Sequence, residues 1–255
     1  MMIAKSIVTV TTTILLCIAI ACTKNLTGPD NNTQTVTDID GNIYMTIKIG
    51  TQEWMAENLR TTRYNDGTPI QKDTSEVTWY FSTSPKYCYY NNTTNADSIK
   101  KYGALYNWYV IDPRNPQKLA PTGWHVPTDS DWSVLENYLV LNGYNWDGTT
   151  DTSLSNKIAK SLASKTSWQI ATDTGAIGCD LGLNNRSGFS ALPGGWRYGY
   201  GVFSGQDSMG YWWSSTEIAF PWALDRCLSY GGIDSLTAGN DTRSCGLSVR
   251  FIRDN

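Results

Sequence analysis

The alternation of apolar and polar residues predicts a strand near each end of the folded region. Residues 43–49, IYMTIKI, place isoleucine or methionine at every second position, and residues 247–252, LSVRFI, alternate Leu247, Val249 and Phe251 with Ser248, Arg250 and Ile252. A period of two is typical of a strand with one buried face. We expect the two strands to pair and close the domain.

Two segments instead have the spacing of an amphipathic helix. In residues 102–111, the side chains of Leu105, Trp108 and Tyr109 share one face, and Pro113 would end the helix. In residues 154–163, Leu154, Ile158 and Leu162 recur at every fourth position.

A further helix has a start signal as well as a stripe. Thr128 and Asp131 resemble a capping box, in which the first and fourth residues satisfy each other's backbone N–H groups. Trp132, Leu135 and Leu139 form the apolar stripe, and a glycine at position 143 would end the helix.

Beyond Trp168 the chain becomes rich in glycine and tryptophan and has strand-like segments at 188–201, 209–217 and 219–230. The order is a strand, two to three helices, a long irregular region with strands, and a closing strand. This order predicts an α+β domain rather than an alternating α/β one.

The first residues resemble an export signal. Lys5 precedes a run from Ile7 to Ala21 that four threonines interrupt, which is too short and polar for a membrane-spanning helix. Residues 19–22, AIAC, resemble a bacterial lipobox, in which Cys22 would carry a diacylglycerol and become the first residue; ordinary signal cleavage is the alternative. The predicted organisation is a signal at 1–21, a tether at 22–37 and a domain at 38–255.

Composition narrows the function classes. The 255 residues are 40% hydrophobic and 17% charged, with a net charge of −3, which disfavours a disordered chain and a nucleic-acid binder. The 11 Trp, 15 Tyr and 22 Gly indicate a loop-rich domain packed on aromatic rings. The single histidine, His125, has no evident nucleophile beside it, so we expect it to be structural.

Four cysteines follow the lipobox, at positions 88, 179, 227 and 245. An even number in an oxidising compartment suggests disulfides, and four cysteines allow three pairings. We favour Cys227 with Cys245, because the segment between them could fold back as a hairpin. Cys88 would then pair with Cys179, or both would stay reduced.

Eight sequence blocks together resemble one known family, the Fibrobacter succinogenes major paralogous domain. The blocks are DGN (40–42), IGTQEWMAENL (49–59), YGALYNW (102–108), GWHVPT (123–128), GFSALPGG (188–195), YWWSSTE (211–217), GLSVR (246–250) and RD (253–254). Ala120 and Phe251 depart from cysteines that are frequent in the family. The resemblance therefore implies a lost bridge, for which Cys227–Cys245 would be a local substitute.

The helix at Trp108 and the HVPTDSDW block at 125–132 are similar, more distantly, to the formylglycine-generating enzyme group. That similarity implies a C-type-lectin-like fold with paired N- and C-terminal strands and helices beside a long loop region. An enzyme of that group would need two reactive cysteines close in sequence, and Cys227 and Cys245 are far apart. We therefore expect no enzyme and no catalytic residue.

The sequence predicts no metal ligands and no cofactor. The tripeptides by which lectins hold Ca²⁺ are absent, so calcium binding has no support from a motif, although it stays open. Asn91, Asn92, Asn95 and Asp97 form a polar cluster that is more typical of a turn than of a cation site.

Aromatic residues of the irregular region are the candidate ligand-binding residues: Trp196, Tyr198, Tyr200, Trp213 and Trp222. Residues 196–200, WRYGY, place three rings at every second position, and we prefer them as an exposed strip. Trp213 is better explained by burial, because neighbouring strand residues face opposite ways.

The leading hypothesis is a non-catalytic domain, lipid-anchored at the bacterial outer membrane or cell surface, that binds a glycan or another surface protein. A structural or assembly component of the cell envelope is the alternative, and an oxidase related to the formylglycine-generating group is a third. Apart from the membrane, the expected partners are a glycan or a cell-surface protein, and not a nucleic acid.

Overall fold

The computed structural model describes residues 34–254. The predicted signal, Cys22 and most of the predicted tether lie outside the described residues. Within residues 34–254, no helix has the length and apolar character needed to cross a membrane.

The described region is an α+β domain, as predicted, with thirteen strands and five short α-helices. The strands are β1 Thr35–Thr37, β2 Ile43–Ile49, β3 Gln52–Met55, β4 Gln71–Lys72, β5 Lys86–Cys88, β6 Leu105–Tyr106, β7 Trp124–His125, β8 Gly194–Arg197, β9 Phe203–Gln206, β10 Met209–Glu217, β11 Trp222–Ser229, β12 Thr237–Thr242 and β13 Ile252–Arg253. The helices are α1 Glu76–Tyr80, α2 Ala96–Tyr102, α3 Trp108–Ile111, α4 Asp129–Leu141 and α5 Ala159–Leu162.

The strands form three sheets, with the orders β1-β2-β3-β13-β7, β12-β11-β10-β8-β9 and β4-β5-β6. The two ends of the domain lie in one sheet, but the strand predicted at 43–49 does not pair directly with the closing strand. Strand β3 lies between β2 and β13, and Ile252 of β13 lies opposite Trp54 of β3. Residues 246–253 also reach the other two sheets. The backbones of Leu247 and Tyr106 exchange hydrogen bonds, and the backbone N–H of Trp213 donates to the carbonyl of Ser248.

Strand β10 separates two hydrophobic cores. Trp212 lies in one core with Trp54, Trp132 and Phe189, and its neighbour Trp213 lies in the other core with Tyr106. Both tryptophans are 1% exposed. Alternation along a strand therefore buries both faces of β10. Residues 247–252 are also buried at every position, so the single buried face predicted for them is wrong, and only Ile252 among them belongs to a strand.

Two predictions about the first strands are wrong in detail. Residues 35–37 lie within the predicted tether, but they form β1 and pair antiparallel with β2. In the first part of β2, Ile43 and Met45 are exposed and Tyr44 and Thr46 are buried, whereas Ile49 at the end of the strand is buried as predicted. The Tyr44 hydroxyl donates a 2.5 Å hydrogen bond to Asp38. Apolarity alone selects the wrong face here, because a buried and hydrogen-bonded tyrosine also supplies a large apolar ring.

The helix at Thr128 forms as predicted. Thr128 is the N-cap of α4, its side chain and that of Asp131 complete the capping box, and Gly143 follows the helix with a φ of 72°.

The other two helix predictions hold only in part. Within residues 102–111, Tyr102 is the last residue of α2 and only Trp108–Ile111 forms a helix of its own, because Leu105 and Tyr106 pair with β5 as strand β6. Within residues 154–163 only Ala159–Leu162 is helical, and Leu154 is 62% exposed. In both segments, backbone pairing or a turn overrides a helical spacing of apolar residues.

Candidate functional site

Four aromatic rings form a continuous ladder on the second sheet and the loop that follows β8. Trp196 packs on Tyr211 with ring centroids 4.8 Å apart and on Tyr198 at 5.1 Å. Tyr198 in turn stacks on Tyr200 at 4.8 Å with an interplanar angle of 10°. Trp196 is 8% exposed and Tyr200 is 55% exposed, so the ladder runs from the core to the surface.

Glycines on both sides of Tyr200 allow the loop to carry this stack. At Gly199 the backbone passes so close to Thr242 and Ser244 that a Cβ atom would lie 2.8 and 2.5 Å from their hydroxyl oxygens. Gly201 has a φ of +97°, and its N–H donates to the carbonyl of Tyr198 at 2.8 Å. Only glycine fits both positions without strain, so the sequence Gly-Tyr-Gly fixes where Tyr200 emerges.

The structure divides the five candidate ligand residues into three groups. Tyr198 and Tyr200 are the accessible end of the ladder, whereas Trp196 is buried, so its predicted exposure is wrong. Trp213 is also buried, and its indole N–H donates to the carbonyl of Tyr106 at 2.8 Å. Trp222 is 44% exposed and lies opposite Thr242 in the β11–β12 pair.

Titratable side chains from strands β10 and β11, and Asp241 near the end of β12, lie beside this ladder. Tyr211 lies opposite Cys227, and Trp213 lies opposite Asp225, so these four side chains share one face of the sheet. Asp225 is 2% exposed. Burial, and then the charge of Asp241, raise the pKa of Asp225 to about 7.

The four cysteines of the described region are free thiols in the structure, which does not form the predicted Cys227–Cys245 disulfide. The segment between them does fold back as a hairpin, but the partner of Cys227 in the register is Thr237. Cys245 lies beyond β12, where its Sγ is 3.3 Å from the Thr242 hydroxyl oxygen. Cys88 and Cys179 are not bridged either.

His125 lies between two carboxylates. Its Nδ1 is 2.6 Å from Asp254 and its Nε2 is 3.2 Å from Asp131, the residue that completes the α4 capping box. Hydrogen bonds with Asp131 and Asp254 raise the pKa of His125 despite its partial burial. Both ring nitrogens are therefore occupied, which favours the imidazolium and leaves no free nitrogen to act as a base.

A cavity of about 290 Å³ opens beside His125. Most of its wall is apolar, from Val110, Ile111, Leu119, Ala120, Trp124 and Val126. Two hydroxyls at its edge are paired within the protein: the Thr128 hydroxyl donates to Asp131, and the Ser215 hydroxyl donates to the carbonyl of Val126.

A buried polar network joins three distant parts of the chain. The side-chain oxygen of Asn58 accepts hydrogen bonds from the Trp212 indole at 2.9 Å and from the Arg250 guanidinium at 3.1 Å. The Asn58 amide donates to Ser248 and to the carbonyl of Tyr102. Arg250 is fully enclosed and donates further hydrogen bonds to the backbone carbonyls of Met55, Phe189 and Ser190.

The family model described as the Fibrobacter succinogenes major domain matches residues 47–253. The chain belongs to this family. Asn58, Trp212 and Arg250 come from three of the blocks on which the resemblance rests, and they meet in the buried network. In this member of the Fibrobacter succinogenes major domain family, these three block positions therefore join distant parts of the fold. Neither the curated proteins nor the solved structures gave a match.

Sequence reasoning missed Asp225 and the ring ladder's inner partner, Tyr211. Asp225 stands at an alternate position of β11 between Ala223 and Cys227, and this pattern could have marked it as facing a core.

The predicted polar cluster of Asn91, Asn92, Asn95 and Asp97 forms a turn and a helix start, with the Asn95 side chain accepting from the backbone N–H of Ser98 as N-cap of α2. Within residues 34–254, no group of three or more His, Cys, Asp or Glu could hold a metal ion.

Proposed function

We propose that this protein is a non-catalytic domain, lipid-anchored through Cys22 at the bacterial cell surface, that binds a glycan on the exposed ring of Tyr200. The parallel stack of Tyr198 and Tyr200, whose outer ring is 55% exposed, carries the proposal. An aromatic face that the protein itself holds rigid can cover the apolar C–H face of a sugar with little loss of side-chain entropy.

Polar groups near the stack suit the same ligand. The hydroxyls of Thr242 and Ser244 lie against the backbone of Gly199, and they are 3.2 Å from each other. Binding sites for small molecules commonly combine aromatic walls with a few hydroxyl or amide groups that fix orientation.

The chemistry of the titratable groups supports a role without catalysis. Burial raises the pKa of both Cys227 and Cys245 to about 12, which disfavours the reactive thiolate. The imidazole of His125 is held by two carboxylates. A C-type-lectin-like arrangement belongs to this proposal, and the pairing of β3 with β13 supports it.

The test is a glycan array probed with the full-length protein and three variants. Tyr200→Ala should weaken binding about five- to tenfold, because an aromatic contact contributes about 1 kcal/mol beyond area burial. Tyr200→Phe keeps the ring and should bind nearly as well as the wild type. Trp146→Ala is the control, since Trp146 is also an exposed ring but borders Asp234 instead.

Two outcomes would contradict the proposal. One is an array without any signal for the folded wild-type protein, and the other is equal binding by wild type and Tyr200→Ala. In either case cross-linking in intact cells would test the envelope-component alternative, which requires one stoichiometric protein partner.

A further inference from the structure

A second cavity, of about 230 Å³, lies where the turn at Tyr90–Asn92 and helix α2 meet strand β9. It is smaller than the roughly 300–1,000 Å³ pockets that hold drug-sized ligands, so it fits a ligand of about one ring. Its lining is neutral and comes from Tyr90, Asn91, Thr93, Ser98, Tyr102 and Gln206, with Gly103. Tyr198 and Tyr200 are not part of this lining.

Both tyrosine rings of the cavity are fixed by the protein itself. The Tyr90 ring contacts Phe203 edge to face at 5.4 Å, and it lies so close to Gly195 that a Cβ there would be 2.6 Å away. The Tyr102 hydroxyl donates a 3.0 Å hydrogen bond to Asp207. The two rings therefore form preformed walls.

Three residues around the cavity have left-handed backbone. Asn91, Asn92 and Asp207 have φ values of 49°, 53° and 65°, in the left-handed region that residues other than glycine seldom adopt. The side-chain amide of Asn92 donates to the carbonyl of Thr74 at 3.0 Å and anchors the turn. Because asparagine and aspartate tolerate this conformation, these φ values fix the shape of the turns that border the cavity.

The chemistry of the lining selects a ligand class. The carboxamides of Asn91 and Gln206 and the hydroxyls of Ser98 and Thr93 offer both hydrogen-bond donors and acceptors. No lining residue is charged, and the two charged groups that contact Tyr102 have opposite signs: the Asp207 carboxylate accepts from its hydroxyl, and the Lys101 ammonium lies 4.8 Å from its ring centroid. The cavity therefore favours neither an anion nor a cation, and a charged ligand would lose hydration without gaining a direct ionic partner in the lining. A polyhydroxylated ring matches both features, because its hydroxyls pair with amides and its C–H face packs on tyrosine.

We propose that this cavity, which we call the Tyr90 cavity, binds one neutral sugar ring, at a position separate from the exposed ring of Tyr200. The inference shares a ligand class with the proposed function but does not require that Tyr200 bind a glycan.

Saturation-transfer NMR and calorimetry with the full-length protein test this site. The probes are the neutral sugars glucose, galactose, mannose, xylose and N-acetylglucosamine, and the charged analogues glucosamine and glucuronate. We expect saturable binding of at least one neutral sugar with one site per chain in the cavity. The charged analogues should bind at least tenfold more weakly, which is about 1.4 kcal/mol.

Two variants address the cavity directly. Asn91→Gly removes the amide but keeps a residue that adopts the left-handed conformation, and Gln206→Ala removes the other amide. Each should weaken the binding about fivefold, which is the loss of one neutral hydrogen bond. Ser167→Gly is the matched control, because Ser167 also has a positive φ, of 76°, but does not line the cavity.

Tyr200→Ala separates the two sites, since it should leave the binding of monosaccharides in the cavity unchanged. The inference is overturned if the folded wild-type protein binds no neutral sugar, or if Asn91→Gly and Gln206→Ala bind as the wild type does. It is also overturned if Tyr200→Ala alone abolishes the binding, because the sugar would then bind on the Tyr200 ring and not in the cavity.

Discussion

At the scale of single residues, the most unusual group is the carboxylate of Asp225, which is buried beside the ring ladder. The adjacent guanidinium of Arg226 does not neutralise it fully, because Arg226 is paired at 2.8 Å with both Asp129 and Glu136. Burial and the charge of Asp241 then raise the pKa of Asp225 to about 7. The folded state therefore binds this proton more tightly than the unfolded state, whose carboxyl has an ordinary pKa of about 3.9.

Asp225→Asn should stabilise the protein at neutral and alkaline pH. A raised pKa gives a contribution to stability that is complete below about pH 4 and is lost as the pH rises to about 7 and above. The free energy of unfolding of the variant should exceed that of the wild type by about 2–4 kcal/mol at about pH 8, and the two values should differ little at about pH 4. Denaturant unfolding across this range is the measurement.

The control for this prediction is Asp173→Asn, which changes an exposed carboxylate. It should leave the pH profile of stability unchanged. If Asp225→Asn and wild type show parallel profiles from pH 4 to about 8, the proton on Asp225 is not linked to folding.

At the scale of elements, the His125 side chain joins three segments: its own strand β7, the start of helix α4 through the Asp131 carboxylate, and the residues after β13 through the Asp254 carboxylate. The pKa of Asp131 is lowered, since hydrogen bonds from His125 and Thr128 outweigh the effect of burial. The protonated histidine therefore holds the α4 capping box against the closing strand.

The stabilisation by His125 should fall as the pH rises. Its folded pKa is raised, so the contribution is complete below the unfolded value of about 6.5 and is lost as the pH rises through the folded value. The Tm difference between wild type and His125→Gln should be about 1–3 °C larger at about pH 5.5 than at about pH 9, as for a partly exposed ion pair. Thermal unfolding of both proteins measures it.

Asp254→Asn serves as the partial variant, because it removes one of the two carboxylates and keeps the capping box. It should show a reduced version of the same pH dependence. A pH-independent difference between wild type and His125→Gln would mean that the histidine acts only by packing.

The elements predicted correctly are those whose signals are local. The capping box at Thr128 and the segment 209–217, which forms β10, are set by neighbours in the sequence. The helix prediction is wrong at residues 105–106 because distant partners determine their conformation, as the hydrogen bonds between the backbones of Tyr106 and Leu247 show. Helical spacing carries no information about such pairing.

The candidate sites were predictable to a smaller extent. The WRYGY spacing identified Tyr198 and Tyr200, but the same alternation could not show that Trp196 faces Tyr211 in the core. The Tyr90 cavity draws on residues 90–103 and on Gln206, more than 100 positions later. Only tertiary structure brings these groups together.

At the scale of the whole molecule, the proposed function depends on attachment to a membrane through Cys22. Mass spectrometry of the mature protein from cell envelopes should show an N-terminal cysteine that carries a diacylglycerol and an amide-linked acyl chain. Cys22→Ser removes the acceptor thiol and should release the protein from the membrane fraction. An unmodified N-terminus at another residue would contradict the anchor while leaving both sugar sites open.

Residues 246–253 have a consequence for how the protein folds. This segment pairs with β3 and β7, bonds to β6 and β8, and runs beside β10, so all three sheets depend on it. The hydrogen bond from Arg250 to the carbonyl of Met55 spans 195 positions of sequence. Contacts that are this distant make folding slow, because loop closure precedes the gain from pairing. They also make folding cooperative, because neither half of the chain can complete its sheets alone. Loss of this segment would therefore disrupt the packing of both cores together.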